Sequence, residues 1–313
     1  MSIAAMNWEI ECQPDGLAMF ADNLRRNRIP LPVSSVKIFT GSGDSWAAAL
    51  FAREIANGEA FAEDPYEMSA KPAFARNKTI IPISVSGRTR ASIEMARKIR
   101  RKARKIIAVT SDKKSPLART CDASIILQYS RAGPLTSGTA SFTASLLACT
   151  SLLGKLPGGF GLEESLQNAR KMGRLVRLPR HGLSLFVGSG VDRAIAEYGA
   201  CKAQEVLGFQ ASAAYPEQVG HALLFSLNPH RDAIVCIDSL RDGKMEELYE
   251  HLSRSGFNAY RITTDGKDLV VNSLEACFYI QCIALFNARR YGLKDCVFLR
   301  DRSRLGLSNK LIY

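Results

Sequence analysis

Residues 36–48 read VKIFTGSGDSWAA: a short apolar run breaks on Gly41-Ser42-Gly43 and passes into a helix-like stretch. The pattern returns at 183–194 as LSLFVGSGVDRA, with Gly188-Ser189-Gly190 at the break. More recurs in the same order. After the first copy come apolar runs at 79–84 (TIIPIS) and 105–110 (KIIAVT), the second closing on Ser111-Asp112. After the second copy come 233–237 (AIVCI) and 259–263 (AYRIT), closing on Thr264-Asp265. Short, unbroken apolar runs between glycine turns suit parallel strands covered on both faces. The repeated strand, glycine turn and helix predict an α/β fold of two tandem three-layer α/β/α lobes. Each holds a mainly parallel sheet flanked by helices, with ligands expected at the strand carboxyl ends.

Only one copy is equipped for an anion. In the first lobe the second strand runs into Ser84-Val85-Ser86-Gly87-Arg88-Thr89; the second lobe has Asp238-Ser239-Leu240-Arg241-Asp242 there. Hydroxyls and a glycine opening a helix aim backbone N–H groups and the helix dipole at a bound anion, whereas aspartates repel a phosphate. Taken alone, Ser-x-Ser-Gly reads equally as a strand-to-helix turn with an N-cap.

The chain has 313 residues, 46% of them hydrophobic, enough for two lobes with real cores. No signal peptide or membrane span is read. The nearest span, 139–156, is interrupted by Ser, Thr and Gly and reads as a buried helix. A cytoplasmic setting and no membrane partner are expected. The eight cysteines are scattered without a CxxC pair, and the four histidines (His181, His221, His230 and His251) form no HxxxH-type cluster. No metal, cofactor or disulfide is expected. The net charge of +12 concentrates in 97–105, where Arg97, Lys98, Arg100, Arg101, Lys102, Arg104 and Lys105 crowd a helix end without aromatics. That run reads as a solvated basic face, and no nucleic-acid partner is expected.

Along the chain, residues 1–34 read as a helical leader, with an amphipathic helix near 15–28 closed by Pro30 and Pro32. The first lobe spans 35–156, a linker helix 157–181, the second lobe 182–292, and a basic tail 293–313. Lys202 and Glu205 fall near the end of the helix after the second glycine turn, and His221 stands on the segment beyond. A carboxylate and an imidazole so placed suit general base and acid, though lone Glu and His residues also serve as surface or capping groups.

At this point the chain resembles the double sugar-isomerase (SIS) domain family, which includes the isomerase half of glucosamine-6-phosphate synthase and stand-alone archaeal relatives. The resemblance covers roughly 35–313. The family's phosphate motif Ser-Gln-Ser-Gly-Glu-Thr appears as Ser84-Val85-Ser86-Gly87-Arg88-Thr89. Its Gly-Cys-Gly-Thr-Ser turn appears as Gly41-Ser42-Gly43-Asp44-Ser45, and its Val-Ala-Ser-Thr-Lys-Ala-Phe-Thr segment as Thr136-Ser137-Gly138-Thr139-Ala140-Ser141-Phe142-Thr143. Lys202-Ala203-Gln204-Glu205 matches Lys-Leu-Lys-Glu, and Glu205 and His221 keep the family's separation of 16 positions. The tail Leu-Ala-Lys-Ser resembles Leu307-Ser308-Asn309-Lys310 with its register shifted by one.

The resemblance implies phosphate contacts from Ser45, Ser84, Ser86 and Thr89, and sugar contacts from Ser42, Asp44, Gly138 and Thr139. It implies Glu205 as the proton-transfer base, His221 as the ring-opening group, and Lys202 and Lys310 as cations near developing charge. Because that histidine commonly serves a neighbouring subunit in the family, a homodimer with shared active sites is implied. The substrate implied is a hexose 6-phosphate or amino-hexose 6-phosphate. Residues 1–34 leave no room for a glutaminase, so the expected activity is a glucosamine-6-phosphate deaminase/isomerase giving fructose 6-phosphate and ammonia. Alternatives are a phosphoglucose/phosphomannose isomerase and a non-catalytic sugar-phosphate-binding regulator. Departures from the family at Asp44, Val85, Arg88, Pro134-Leu135 and Gln204 leave the substrate open.

Overall fold

The computed structural model describes residues 1–31, 35–264, 266 and 268–313. Pro32 and Asp265, used above as boundary marks, lie outside the described residues. Two compact units emerge, each assembled from separated stretches of chain. The five-stranded unit is Asp15–Ser130, Ala140–Leu156 and Ser303–Tyr313; the four-stranded unit is Met1–Pro14, Arg131–Thr139 and Pro157–Arg302.

In the five-stranded unit the strands are β1 (Lys37–Thr40), β2 (Ala60–Glu63), β3 (Thr79–Pro82), β4 (Lys105–Thr110) and β5 (Ala123–Ile126). They lie in the order β2-β1-β3-β4-β5, and every pairing is parallel. Each residue of β3 is buried, as is all of β4 beyond its first residue, which is why these runs carry no polar alternation. Helix Arg90–Ile99 turns Ile93, Met95, Ala96 and Ile99 to the core and leaves Arg97 and Lys98 outside in its last turn. There the positive charge faces solvent at the negative end of the helix dipole.

In the four-stranded unit β6 (Leu183–Val187), β7 (Gln210–Ala214), β8 (Ala233–Asp238) and β9 (Ala259–Thr263) lie in the order β7-β6-β8-β9, again all parallel. Helix Leu269–Arg290 is the one described helix long and apolar enough to cross a membrane, but 83% of its apolar window is buried inside the protein. Its packing explains its composition. Helix Leu162–Leu175 approaches it so closely that a Cβ on Gly173 would stand 2.7 Å from the Cys282 carbonyl carbon. Asn287 adds hydrogen bonds to Val176 O (3.0 Å) and from Leu178 N–H (3.0 Å). Asp268 caps the helix start by accepting from Val270 and Val271 N–H.

The two sheets share more than strand order. Lys37, four residues before Gly41, pairs with Thr79 at the start of β3; Ser184, four before Gly188, pairs with Ala233 at the start of β8. Gly43 (φ 60°, ψ −129°) and Gly190 (φ 52°, ψ −128°) adopt one backbone geometry. Gly41 and Gly188 are each overlain by a backbone carbonyl one turn ahead, of Ser45 and Asp192 respectively, leaving no room for a side chain. This register equates Ser84–Thr89 with Asp238–Gly243.

Candidate active site

In each sheet the chain order reverses between the central neighbours, β1/β3 and β6/β8, so a crevice opens at their carboxyl ends. In the five-stranded unit that place is framed by Gly41–Ser45 after β1 and Ile83–Thr89 after β3. Ser84 is buried, and its hydroxyl lies 3.0 Å from that of Thr89 and accepts from Gly87 N–H (3.2 Å). The Ser86 hydroxyl accepts from Arg88 N–H (3.3 Å), while Ser42 O receives Ser45 N–H (3.2 Å). Gly87 sits at φ 62°, and a Cβ there would run into the side chains of Ser115 and Thr110. With those side chains in place only glycine fits at position 87. Helix Arg90–Ile99 begins directly after Thr89, so the hydroxyls of Ser84, Ser86 and Thr89 gather at a helix N-terminus. The tail helix Arg302–Ile312 ends beside it: Arg90 Nη2 donates to Leu311 O at 3.3 Å, with Lys310 exposed next along the chain. Asp44 opens helix Asp44–Ala56.

The four-stranded unit holds Lys202, Glu205 and His221. Helix Val191–Lys202 continues into a π-turn, Ala203–Leu207, a geometry that often marks functional sites. Lys202 and Glu205 stand three apart and therefore on one face. The Lys202 side chain is wholly buried, and its ammonium donates to Glu205 Oε2 at 2.6 Å and to Ser137 Oγ at 2.5 Å. Ser137 Oγ in turn donates to Glu205 Oε2 at 2.6 Å. Burial pushes the Glu205 carboxyl up, but the charge of Lys202 and the hydrogen bonds from Lys202 and Ser137 outweigh it and hold the group below the usual glutamate range. Glu205 is nonetheless 39% exposed, so its other face remains open to a reactant. An ionised, partly exposed carboxylate backed by a buried ammonium can take up a proton and return it.

Ser137 is the partner that sequence reasoning missed. It stands inside the third matched segment, but the expectation fell on the next two residues. The Gly138 carbonyl accepts from Tyr198 OH (2.8 Å), and the buried Thr139 hydroxyl donates to Glu9 Oε2 (2.8 Å). His221 ends the short helix Pro216–His221, 78% exposed, with Glu217 Oε2 3.8 Å from its Nε2.

At the turn after β8, Arg241 takes the left-handed conformation (φ 49°) that Gly87 takes after β3. Asp192, the counterpart of Ser45, is buried and accepts from the Ser239 N–H (2.8 Å) and the Ser239 hydroxyl. Burial pushes its carboxyl up to about 7 against those hydrogen bonds. Asp238 is buried as well and pairs with Arg261 at 2.6 Å. A cavity of about 310 Å³ opens at the ends of β8 and β9, lined by Ser239, Leu240, Arg241, Thr264 and Asn272 among others. Among the described residues no cluster of three or more His, Cys, Asp and Glu side chains is placed to hold a metal ion.

Residues 37–154 match the family model of the SIS domain. Over 225 residues, 64% of the chain is 26% identical to a glutamine–fructose-6-phosphate aminotransferase (isomerizing) of Thermus thermophilus, and the match spans 37% of that relative. Among solved structures, glucosamine-6-phosphate deaminase of Thermotoga maritima is similar with a TM-score of 0.75 and 14% identity, covering 92% of this chain and 95% of that one. The C-terminal domain of glucosamine-fructose-6-phosphate aminotransferase from Francisella tularensis gives 0.71 and 18%, covering 93% and 97%. At these identities the structural likeness establishes the α/β fold with its parallel sheets flanked by helices.

Proposed function

We propose that this chain is a sugar-phosphate aldose–ketose isomerase built from two SIS-type lobes, acting on an amino-hexose 6-phosphate as a glucosamine-6-phosphate deaminase/isomerase. The observation that carries the reading is the Lys202–Ser137–Glu205 triangle: a carboxylate kept ionised on one side and open on the other. A hexose 6-phosphate has a feature for each set of groups. Its phosphate matches the hydroxyls of Ser45, Ser84, Ser86 and Thr89, and its acidic C–H beside the carbonyl matches Glu205.

In this reading Glu205 moves one proton between C2 and C1 through an enolamine, and Lys202 offsets the charge that develops. With an amine at C2, the proton shift leaves a ketose imine; water adds to its carbon and ammonia departs, giving fructose 6-phosphate. His221 is assigned to ring opening. Its exposure, with Glu217 as its neighbour, suits service to a second copy of the chain, hence a homodimer with shared sites. Ser42, Asp44 and Gly138 are assigned to the sugar hydroxyls, and Lys310 to a tail that closes over the substrate.

Purified protein incubated with glucosamine 6-phosphate, with ammonia and fructose 6-phosphate both followed, tests this. Matched release of the two supports the deaminase. Ketose from glucose 6-phosphate alone replaces it with a phosphohexose isomerase. Binding without turnover of either substrate overturns the catalytic reading.

A further inference from the structure

Glu9 is a buried carboxylate that the chemistry above does not use. It lies on helix Ser2–Glu11, 4% exposed. Its Oε1 accepts from Ala132 N–H (3.1 Å), and its Oε2 accepts from the hydroxyls of Thr136 (2.7 Å) and Thr139 (2.8 Å). Three donors from one short stretch of chain thus converge on a single side chain. Ser137, which bridges Lys202 and Glu205, stands between the two threonines. Residues 131–139 form neither helix nor strand, so no backbone ladder sets their register. The helix bearing Glu9 is itself pinned. Ser2 N–H donates to Asp295 Oδ1 (2.6 Å), the Ser2 hydroxyl accepts from Cys296 N–H (2.8 Å), and Arg170 donates to Glu11 (2.8 Å).

We infer that Glu9 is a positioning residue, which fixes the 132–139 segment so that the Ser137 hydroxyl lies against Lys202 and Glu205. Its influence on turnover rests on the reading of Glu205 as the proton-transfer group; its influence on Ser137 does not. Without the Glu9 carboxylate, two buried hydroxyls and a backbone N–H lose their common acceptor. The segment then has to find another register, and the donor to Glu205 is lost. Gln at position 9 keeps the shape: its oxygen can accept from Ala132 N–H while its amide donates to the threonine hydroxyls.

The test uses full-length protein with carbon-13 in the glutamate carboxyl groups, comparing Glu9→Ala, Glu9→Gln and Ser137→Ala with the parent. The Glu205 carboxyl, assigned through its disappearance in Glu205→Gln, is titrated by NMR. Glu9→Ala is expected to raise the Glu205 titration in the same direction as Ser137→Ala, with Glu9→Gln in between. If the isomerase reading holds, kcat falls about tenfold or more in Glu9→Ala, the size set by losing one hydrogen bond to a charged group, while KM changes less than twofold. An unchanged Glu205 titration in folded Glu9→Ala overturns the inference. Should Glu9→Ala fail to fold, an unchanged titration in the doubly substituted Thr136→Val, Thr139→Val protein overturns it instead. A parent protein inactive on every hexose 6-phosphate overturns the functional reading alone, because the titration still decides the role of Glu9.

Discussion

Asp192 accepts both the backbone N–H and the hydroxyl of Ser239, so the turn after β6 and the turn after β8 are tied by one buried carboxylate. In the five-stranded unit the equivalent turn position is Ser45. One lobe thus offers hydroxyls at a point where the other places its own acid. That difference adds to the expectation of one phosphate site per chain, which the sequence drew from Asp238 and Asp242.

Asp192 also gives a pH dependence with a definite sign. Its carboxyl is raised from near 4 to about 7 in the folded protein. Between those values the native state holds a proton that the unfolded state has released. Stability is therefore fully present below pH 4 and declines as pH rises towards 7, by roughly 1.4 kcal/mol per unit from this group. Asp192→Asn is expected to flatten that decline. Urea unfolding of both proteins at pH 5, 6, 7 and 8 checks it, and parallel curves would remove Asp192 as the cause.

Replacing Glu205 by Gln removes the base but keeps its size. Exchange of the C2 proton with deuterated solvent is expected to fall by about 10²–10⁴, with sugar-phosphate binding by calorimetry changed little. Exchange at the parental rate would relocate the base.

Lys202→Met takes away the cation that keeps the Glu205 carboxyl low. The acid limb of the kcat/KM profile should move to higher pH, since ionisation of Glu205 then meets burial without the opposing charge. A limb that stays in place would mean that it reports another group.

Gly87→Ala places a side chain at φ 62° and against Ser115 and Thr110. A stability loss of more than about 1 kcal/mol is expected, together with loss of inorganic phosphate binding. Retained phosphate affinity would separate the loop from the anion.

Arg90→Ala removes the donor to Leu311 O. Residues 303–313 are then expected to be cut sooner by limited proteolysis, while the thermal midpoint of the remainder moves little. Identical cleavage kinetics would show that Arg90 does not hold the tail helix.

Much of the fold was legible because buried parallel strands need unbroken apolar runs, and TIIPIS, KIIAVT and AIVCI supply them. Two edge strands were not: AFAE of β2 and QASAA of β7 are half solvated and carry little hydrophobic signal. The glycine turns announced their geometry, but Arg241 adopts the same left-handed backbone without a glycine to mark it. Lys202 and Glu205 could be paired from helical spacing. Ser137 and Glu9 could not, because their partners lie 65 and more than 120 residues away and only the folded chain brings them together. Glu9 in isolation looks like any acid near the end of a helix.

The interleaving of the two units bears on the order in which the chain is made. Residues 1–14 come before the whole five-stranded sheet, yet the sheet of their own unit is supplied only by residues from 183 onwards. The five-stranded unit has its strands by residue 126 but takes helix Arg302–Ile312 from beyond the last strand of the four-stranded unit. Neither unit can finish during translation of its own half. During synthesis each unit therefore waits for chain that follows a large part of the other.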